Sequence, residues 1–272
     1  MFIMENEKRV LIVKGKAGLG NRLLSVLGGI LYCQLYDRLL CIDWSDGTYA
    51  PKGESAFPIA FRCNFPTVPL SSVVTESDVH PPLWRNNLSR SVTDMIDEFH
   101  PKFWDDETAV FSKYSICFRN ACPPNKVVVR WSYHDDVCEF FPRLGVKLFT
   151  EKSRFDVLRC TCRRFLSFER DLLGGSETEF DQHFLGKTIG VHVRYTDNKT
   201  PLNALLARLA RLSRLQSDAK IFLATDSAMI EEKLRKLYPG RIVTTNKSEL
   251  LSGAPLHRQG RADEARRTAL LD

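Results

Sequence analysis

Residues Val10 to Asn21 read VLIVKGKAGLGN, and the leucine-rich stretch from Leu23 to Leu40 follows directly. An unbroken apolar run of this length, closed by glycines, reads as a strand buried on both faces, here Arg9 to Val13. The residues after the loop recur at helical spacing, with Leu24, Leu27, Gly28, Leu31 and Leu35 on one stripe, and predict a helix from Asn21 to about Tyr36. Leu39 to Asp43 reads as a second strand. Strand, glycine turn, helix and strand make a βαβ start, so the fold class is α/β.

The loop itself admits more than one chemistry. It is not a Walker A motif, because Asn21 and Arg22, rather than Lys and Ser or Thr, follow Gly20. It is not a dinucleotide fingerprint either, since Leu23 stands where the third glycine belongs. What remains is a tight turn whose following helix offers free N–H groups to an anion. A plain strand-to-helix turn with no ligand fits these residues equally well.

Outward from this unit the pattern loosens and then resumes. The region from Trp44 to about Leu88 is rich in turn residues, proline and aromatics, and predicts long packed excursions at the edge of a first domain. Lys126 to Trp131 reads as a strand and Arg154 to Leu173 as a helix ending at Gly174-Gly175. The segment GGSETE, Gly174 to Glu179, marks a boundary between domains 1–175 and 176–272. Beyond it, Thr188 to Val193 and Lys220 to Thr225 predict strands, with a further strand at Arg241 to Thr244. Thr200-Pro201 suits the opening of a helix, Thr as N-cap and Pro at the first position. Its apolar stripe is Leu202, Leu205, Leu206, Leu209, Leu212 and Leu215, with Arg208, Arg211 and Arg214 on the solvated side. A helix follows Asp226-Ser227 to Leu237. Ala262 to Leu271 reads as one more amphipathic helix, and the second half offers fewer strands than a doubly wound domain usually has.

Bulk properties narrow the classes. The chain has 272 residues, is 43% hydrophobic and carries a formal charge of +6. That composition is globular. The charge suits anionic small molecules such as sugar nucleotides, and no run of basic residues marks a nucleic-acid tail. No stretch reaches the roughly 20 apolar residues of a membrane span, and the start lacks the pattern of a signal peptide. Eight cysteines in a chain this long do not form a disulfide scaffold. Cys117 and Cys122 lack a second matching pair, and Cys160-Thr161-Cys162 is too closely spaced for a zinc knuckle. The simplest expectation is a cytoplasmic protein with free thiols.

Two further stretches carry chemistry. Gly190 to Asp197, GVHVRYTD, sits at the carboxyl end of a predicted strand, where open α/β sheets bind ligands. His192 and Arg194 share a face of that strand. An arginine there suits a phosphate, whose oxygens match its planar fork, and a histidine donates to the same group or fixes a loop. His192, Asp197 and His183 have no recognisable metal-ligand spacing, so no metal is expected. Ala224-Thr225-Asp226-Ser227 ends the next strand, where Asp226 or Ser227 either caps the following helix or accepts hydrogen bonds from a nucleoside.

Taken in order, Gly18-Leu19-Gly20-Asn21-Arg22, the H-x-R-x-x-D stretch from His192 to Asp197, and Ala224-Thr225-Asp226 resemble the nodulation-type (NodZ-like) fucosyltransferases. These are related to the α1,2-, α1,6- and protein O-fucosyltransferases. The likeness is clearest over residues 9–49 and 186–230. The resemblance implies a GT-B-like fold, two Rossmann-like domains facing a cleft, the second one incomplete here. It implies an enzyme that transfers fucose from GDP-fucose to a glycan acceptor with inversion, with no metal and no cofactor beyond the donor.

Carried over by motif, Arg194 matches the arginine that holds the β-phosphate of GDP, and His192 the histidine beside it. Asp226, with Ser227, lies in the nucleotide-binding segment. Gly18, Gly20, Asn21 and Arg22 match the first-domain loop that faces the donor. Asp197 is the one nearby carboxylate to weigh as a base, and it suits a salt bridge to Arg194 equally well.

Two departures stand out. Tyr195 occupies a position where such enzymes commonly carry a second arginine, which bears on the identity of the donor sugar. The family also continues beyond the equivalent of Asp272. A catalytically silent sugar-nucleotide or glycan-binding relative is therefore the alternative to an active transferase.

Overall fold

The computed structural model of the chain describes residues 9–73, 77–118, 120, 122–132, 151–169, 186–195 and 200–244. The chain divides into two compact units, Met1–Glu169 and Arg170–Asp272.

Unit 1 is built on a parallel sheet. β1 (Val10–Lys14) leads through α1 (Leu19–Tyr36) to β2 (Leu39–Asp43). The short helix α2 (Phe57–Ala60) runs into β3 (Phe61–Cys63), and β4 (Val79–His80) follows. Next come α3 (Val92–Phe99), the single turn α4 (Glu107–Val110), β5 (Val127–Arg130), α5 (Glu151–Phe165) and β6 (Leu166–Phe168). The main sheet has the order β2-β1-β5-β4, every pair parallel. β1 is buried along its whole length, which is why its sequence is apolar without alternation.

The two faces of this sheet are covered by different material. Leu11, Val13 and Leu40 receive α1 at Gly29, where a Cβ would lie 2.8 Å from Val13 Cγ2. Val10, Ile12, Cys41, Val127 and Val129 face a second core with Trp84, Leu88, Val92, Met95, Ile96, Phe103, Tyr114 and Trp131. Of the turn-rich segment after Trp44, Val79, Trp84 and Leu88 join this core, and the other covering residues come from positions 92–131.

Two expectations are corrected. The buried residues of α1 are Arg22, Ser25, Val26, Leu27, Gly28, Gly29, Ile30, Tyr32 and Cys33, so the helix is rotated away from the leucine stripe. Small residues at 25, 28 and 29 let its backbone approach the sheet, while Leu24, Leu31 and Leu35 are half-buried. The predicted helix 154–173 stops at Phe165, and the chain turns into β6, paired antiparallel with β3 in the register Phe61↔Phe168. Tilted contact between those two rings, centroids 4.8 Å apart, favours that exit. The proposed boundary at Gly174 to Glu179 lies outside the described residues, as does the helix expected at Ala262 to Leu271.

Unit 2 carries β7 (Thr188–Val193), α6 (Leu202–Leu215), β8 (Lys220–Thr225), α7 (Ala228–Leu237) and β9 (Ile242–Val243). Its described sheet is parallel in the order β7-β8-β9. Ile189, Val191, Val193, Ile221 and Leu223 form its core with Leu209, Ile230 and Leu234. In α6 the expected stripe holds only in part, since Leu212 is 37% and Leu215 72% exposed. α6 begins after Pro201, which is itself the N-cap, and Thr200 makes no cap bond. Arg208, Arg211 and Arg214 are exposed, as the spacing predicts. No helix among the described residues is long and apolar enough to cross a membrane.

Candidate functional site

In each unit the residues of interest gather where parallel strands end. In unit 1 the register pairs Lys14 with Asp43 at the last position of β1 and β2. Their side chains meet as a buried ion pair at 2.5 Å, with 2% and 5% exposure. The Lys14 ammonium also donates to the carbonyl oxygens of Leu88 and Arg90 and lies 5.2 Å from the Trp84 ring centroid. Asp43 Oδ1 accepts from the Ser45 N–H and hydroxyl. Such a pair is tolerable because its donors and acceptors are met. It fixes the 43–46 and 88–90 segments around the end of β1. Sequence reasoning missed it; the only signal was a lysine closing an otherwise apolar strand.

The glycine loop follows. Gly18 is the N-cap of α1, extended at φ −70° and ψ 167°, with no side-chain cap bond. The first N–H groups of α1 are thus left without a capping side chain. Nothing lies within 4 Å of where a Cβ would stand at Gly18 or Gly20, so these glycines leave open space at the helix start. Asn21 is half-buried beside them.

Arg22, expected on the donor-facing loop, stands in the first turn of α1 and points inward. Its side chain is 1% exposed and pairs with Asp46. Nη1 and Nη2 donate to the two carboxylate oxygens at 2.9 and 2.6 Å, and Nε donates to the Ala17 carbonyl at 2.8 Å. The rings of Trp44 and Tyr49 flank the guanidinium at 5.7 and 5.1 Å. This bidentate clamp holds the loop from inside and supports Ala17 in a left-handed conformation at φ 62°.

In unit 2, β7 alternates as its sequence predicts: Ile189, Val191 and Val193 are buried, while Gly190 and His192 are exposed. Arg194, one residue past the strand, is exposed as well. Tyr195 turns back and packs against the core of unit 2. Its N–H donates to Asp226 Oδ1 at 2.7 Å, which ties the end of β7 to the end of β8. The Arg194 carbonyl accepts from the Thr200 N–H at 2.9 Å and from its hydroxyl at 2.8 Å.

These bonds set Arg194 between two backbone anchors. Ser227 is the N-cap of α7 without a side-chain cap bond, and its N–H donates to Thr225 Oγ1 at 3.2 Å. Asp226 therefore braces the loop after β7, a role that reading it as a cap or as a nucleoside acceptor did not include. Asp197 lies outside the described residues.

Among the described residues, unit 1 brings Gly18, Gly20 and Asn21 together, and unit 2 brings His192, Arg194, Tyr195, Asp226 and Ser227 together. No group of three or more His, Cys, Asp or Glu side chains among those residues is placed to hold a metal ion.

No family model matches the chain. Nodulation protein Z of Azorhizobium caulinodans is 27% identical to it over 272 residues, spanning 92% of this chain and 77% of that protein. Among solved structures, the NodZ alpha-1,6-fucosyltransferase soaked with GDP-fucose matches with a TM-score of 0.63 at 18% identity, over 97% of this chain and 82% of the other. NodZ alpha-1,6-fucosyltransferase co-crystallized with GDP gives a TM-score of 0.58 at 21% identity, over 88% and 79%. The fold is GT-B-like α/β with two Rossmann-like units, and in both sequence and fold the chain resembles the NodZ-type fucosyltransferases.

Proposed function

We propose that the chain is a glycosyltransferase that uses GDP-fucose, or a closely related GDP-sugar, and transfers the sugar to a glycan acceptor with inversion. The observation that carries this reading is the Tyr195–Asp226 bond. It holds the Arg194 segment at the carboxyl end of the unit 2 sheet, in a chain that resembles NodZ in sequence as well as fold.

Each residue has a definite task in that reaction. Arg194 holds the diphosphate through its planar fork and balances the charge that grows on the leaving GDP as the sugar–phosphate bond breaks. His192, two residues earlier on the same exposed side, donates a hydrogen bond to the same group. Asp226 positions Arg194 by fixing the neighbouring peptide, and Ser227 stands at the start of α7, whose N–H groups favour an anion. Gly18, Gly20 and Asn21 stand at the start of α1, where open space borders the glycines and the first N–H groups have no capping side chain.

Tyr195 packs against the core of unit 2 and adds no positive charge, so the diphosphate depends on Arg194 more than in enzymes with two adjacent arginines. Asp197 is the carboxylate proposed to take the acceptor proton. No step in this scheme uses a metal. A cytoplasmic location suits Cys33, Cys41, Cys63, Cys122, Cys160 and Cys162, whose thiols form no disulfide.

GDP titrated into the chain without added metal should bind, and Arg194→Ala should weaken it by about tenfold to a hundredfold, as expected for a lost charged hydrogen bond. Unchanged GDP affinity in that variant would remove Arg194 from the site. Transfer from GDP-fucose, measured on a glycan panel, tests the reaction itself.

A further inference from the structure

We propose that Trp104, together with Lys16 and Thr93, forms a subsite for a pyranose ring of an uncharged glycan at the carboxyl edge of the unit 1 sheet. The inference rests on the glycosyltransferase reading for calling that glycan the acceptor.

Unit 1 contains all four tryptophans. Trp44, Trp84 and Trp131 are fully buried, whereas Trp104 is 56% exposed. Its exposure is not that of a loose loop. The preceding Phe103 is fully buried, with its ring 5.6 Å from Tyr114 and 6.1 Å from Trp131. Phe103 also meets the Trp104 ring edge-on at 5.0 Å. The turn Phe103–Asp105 is thereby pinned to the core while the next ring is held outward.

The position of that ring matters as much as its exposure. Lys16, two residues before Gly18 on the loop that closes β1, places its ammonium 5.5 Å from the Trp104 ring centroid. The same ammonium donates to Thr93 Oγ1 at 2.8 Å. Next to Thr93, Asp94 pairs with Lys52 at 2.8 Å. An exposed indole thus stands beside the Lys16 ammonium and the Thr93 hydroxyl bonded to it, at the end of the sheet where parallel α/β folds take ligands. Phe155 at 60% and Phe168 at 56% are comparably exposed, but they lie on α5 and β6 and not beside the loop that closes β1.

A pyranose carries a flat patch of C–H groups on one face and hydroxyls around its rim. The electron-rich face of an indole attracts the first. Lys16 can donate hydrogen bonds to the second and the Thr93 hydroxyl can donate to it, which is the usual pairing of an apolar floor with a few placed polar groups.

The test is a titration of the full chain with uncharged gluco-, manno-, galacto- and N-acetylglucosamine oligosaccharides, followed by tryptophan fluorescence. GDP is titrated in parallel. At least one oligosaccharide should saturate and change the emission of the one exposed indole. Trp104→Ala should weaken that oligosaccharide by about tenfold, and Trp104→Phe by less, while GDP affinity moves less than twofold.

The subsite is overturned if no oligosaccharide saturates, if Trp104→Ala binds as the parent chain does, or if GDP affinity is what falls. Trp104-dependent oligosaccharide binding by a chain that binds no GDP would uphold the subsite and sink the donor assignment instead.

Discussion

Gly15 lacks the side chain that would obstruct the Arg22 guanidinium on its way to Asp46. A Cβ there would stand 2.3 Å from Arg22 Nη1 and 3.0 Å from the Trp44 Cα. The guanidinium is held by two carboxylate oxygens and a carbonyl, so it has little room to give way. Gly15→Ala should destabilise unit 1 by roughly 1–3 kcal/mol, the usual cost of overpacking a tight site. The urea midpoint checks this, and an unshifted midpoint would show that Arg22 relaxes freely. The spacing of Gly15, Gly18 and Gly20 was legible in the sequence, but their division of labour was not. Gly15 makes way for a buried arginine, whereas Gly18 and Gly20 border open space. Nothing in the one-dimensional pattern reveals that Asp46 reaches back to Arg22 across 24 positions.

The joint between β4 and β5 depends on one carboxylate. Asp78 accepts from the Lys126 N–H at 3.0 Å and from Asn125 Nδ2 at 2.7 Å, and its carbonyl accepts from the Val127 N–H. The Lys126 N–H bond, followed by that from Asn125, holds the Asp78 carboxyl below the ordinary aspartate value of 3.8. A depressed folded-state value means that this contribution is present above 3.8 and is lost as pH falls through the folded value. Asp78→Asn should therefore flatten the acid limb of the stability–pH profile below pH 3.8 and leave its neutral region parallel to that of the parent. Equal acid limbs in the two proteins would refute the assignment.

Strands at the scale of elements were readable because burial and period coincide. Leu39–Asp43, Thr188–Val193 and Lys220–Thr225 fall where the pattern places them. The face of α1 and the end of α5 were not, because leucine spacing gives an apolar stripe without saying whether a sheet or another helix covers it. Gly29, rather than a leucine, marks the point of closest approach.

Across the molecule, the described cysteines separate by depth. Burial pushes the Cys33 thiol up, and pushes that of Cys41 up to about 12; Cys160 and Cys162 on α5 are exposed. Brief alkylation of the native chain near neutral pH should label Cys160 and Cys162 first and reach Cys33 and Cys41 only on unfolding, as read by peptide mass spectrometry. Equal native labelling rates would contradict this packing. The sequence alone determined the α/β class, the strand–glycine–helix opening, the strands of unit 2 and the order of the motifs that resemble NodZ-type enzymes. Those features are local, set by periodicity, turn chemistry and the residues at strand ends. Tertiary structure decided which charges lie inside, through Lys14–Asp43 and Arg22–Asp46. It also bonded Asp226 to the peptide after Arg194 and left Trp104 exposed while three other tryptophans are buried. Each of these depends on residues distant in sequence arriving at one place, where removal from water makes an ion pair or an aromatic contact structural, and exposure leaves the same side chain available for binding.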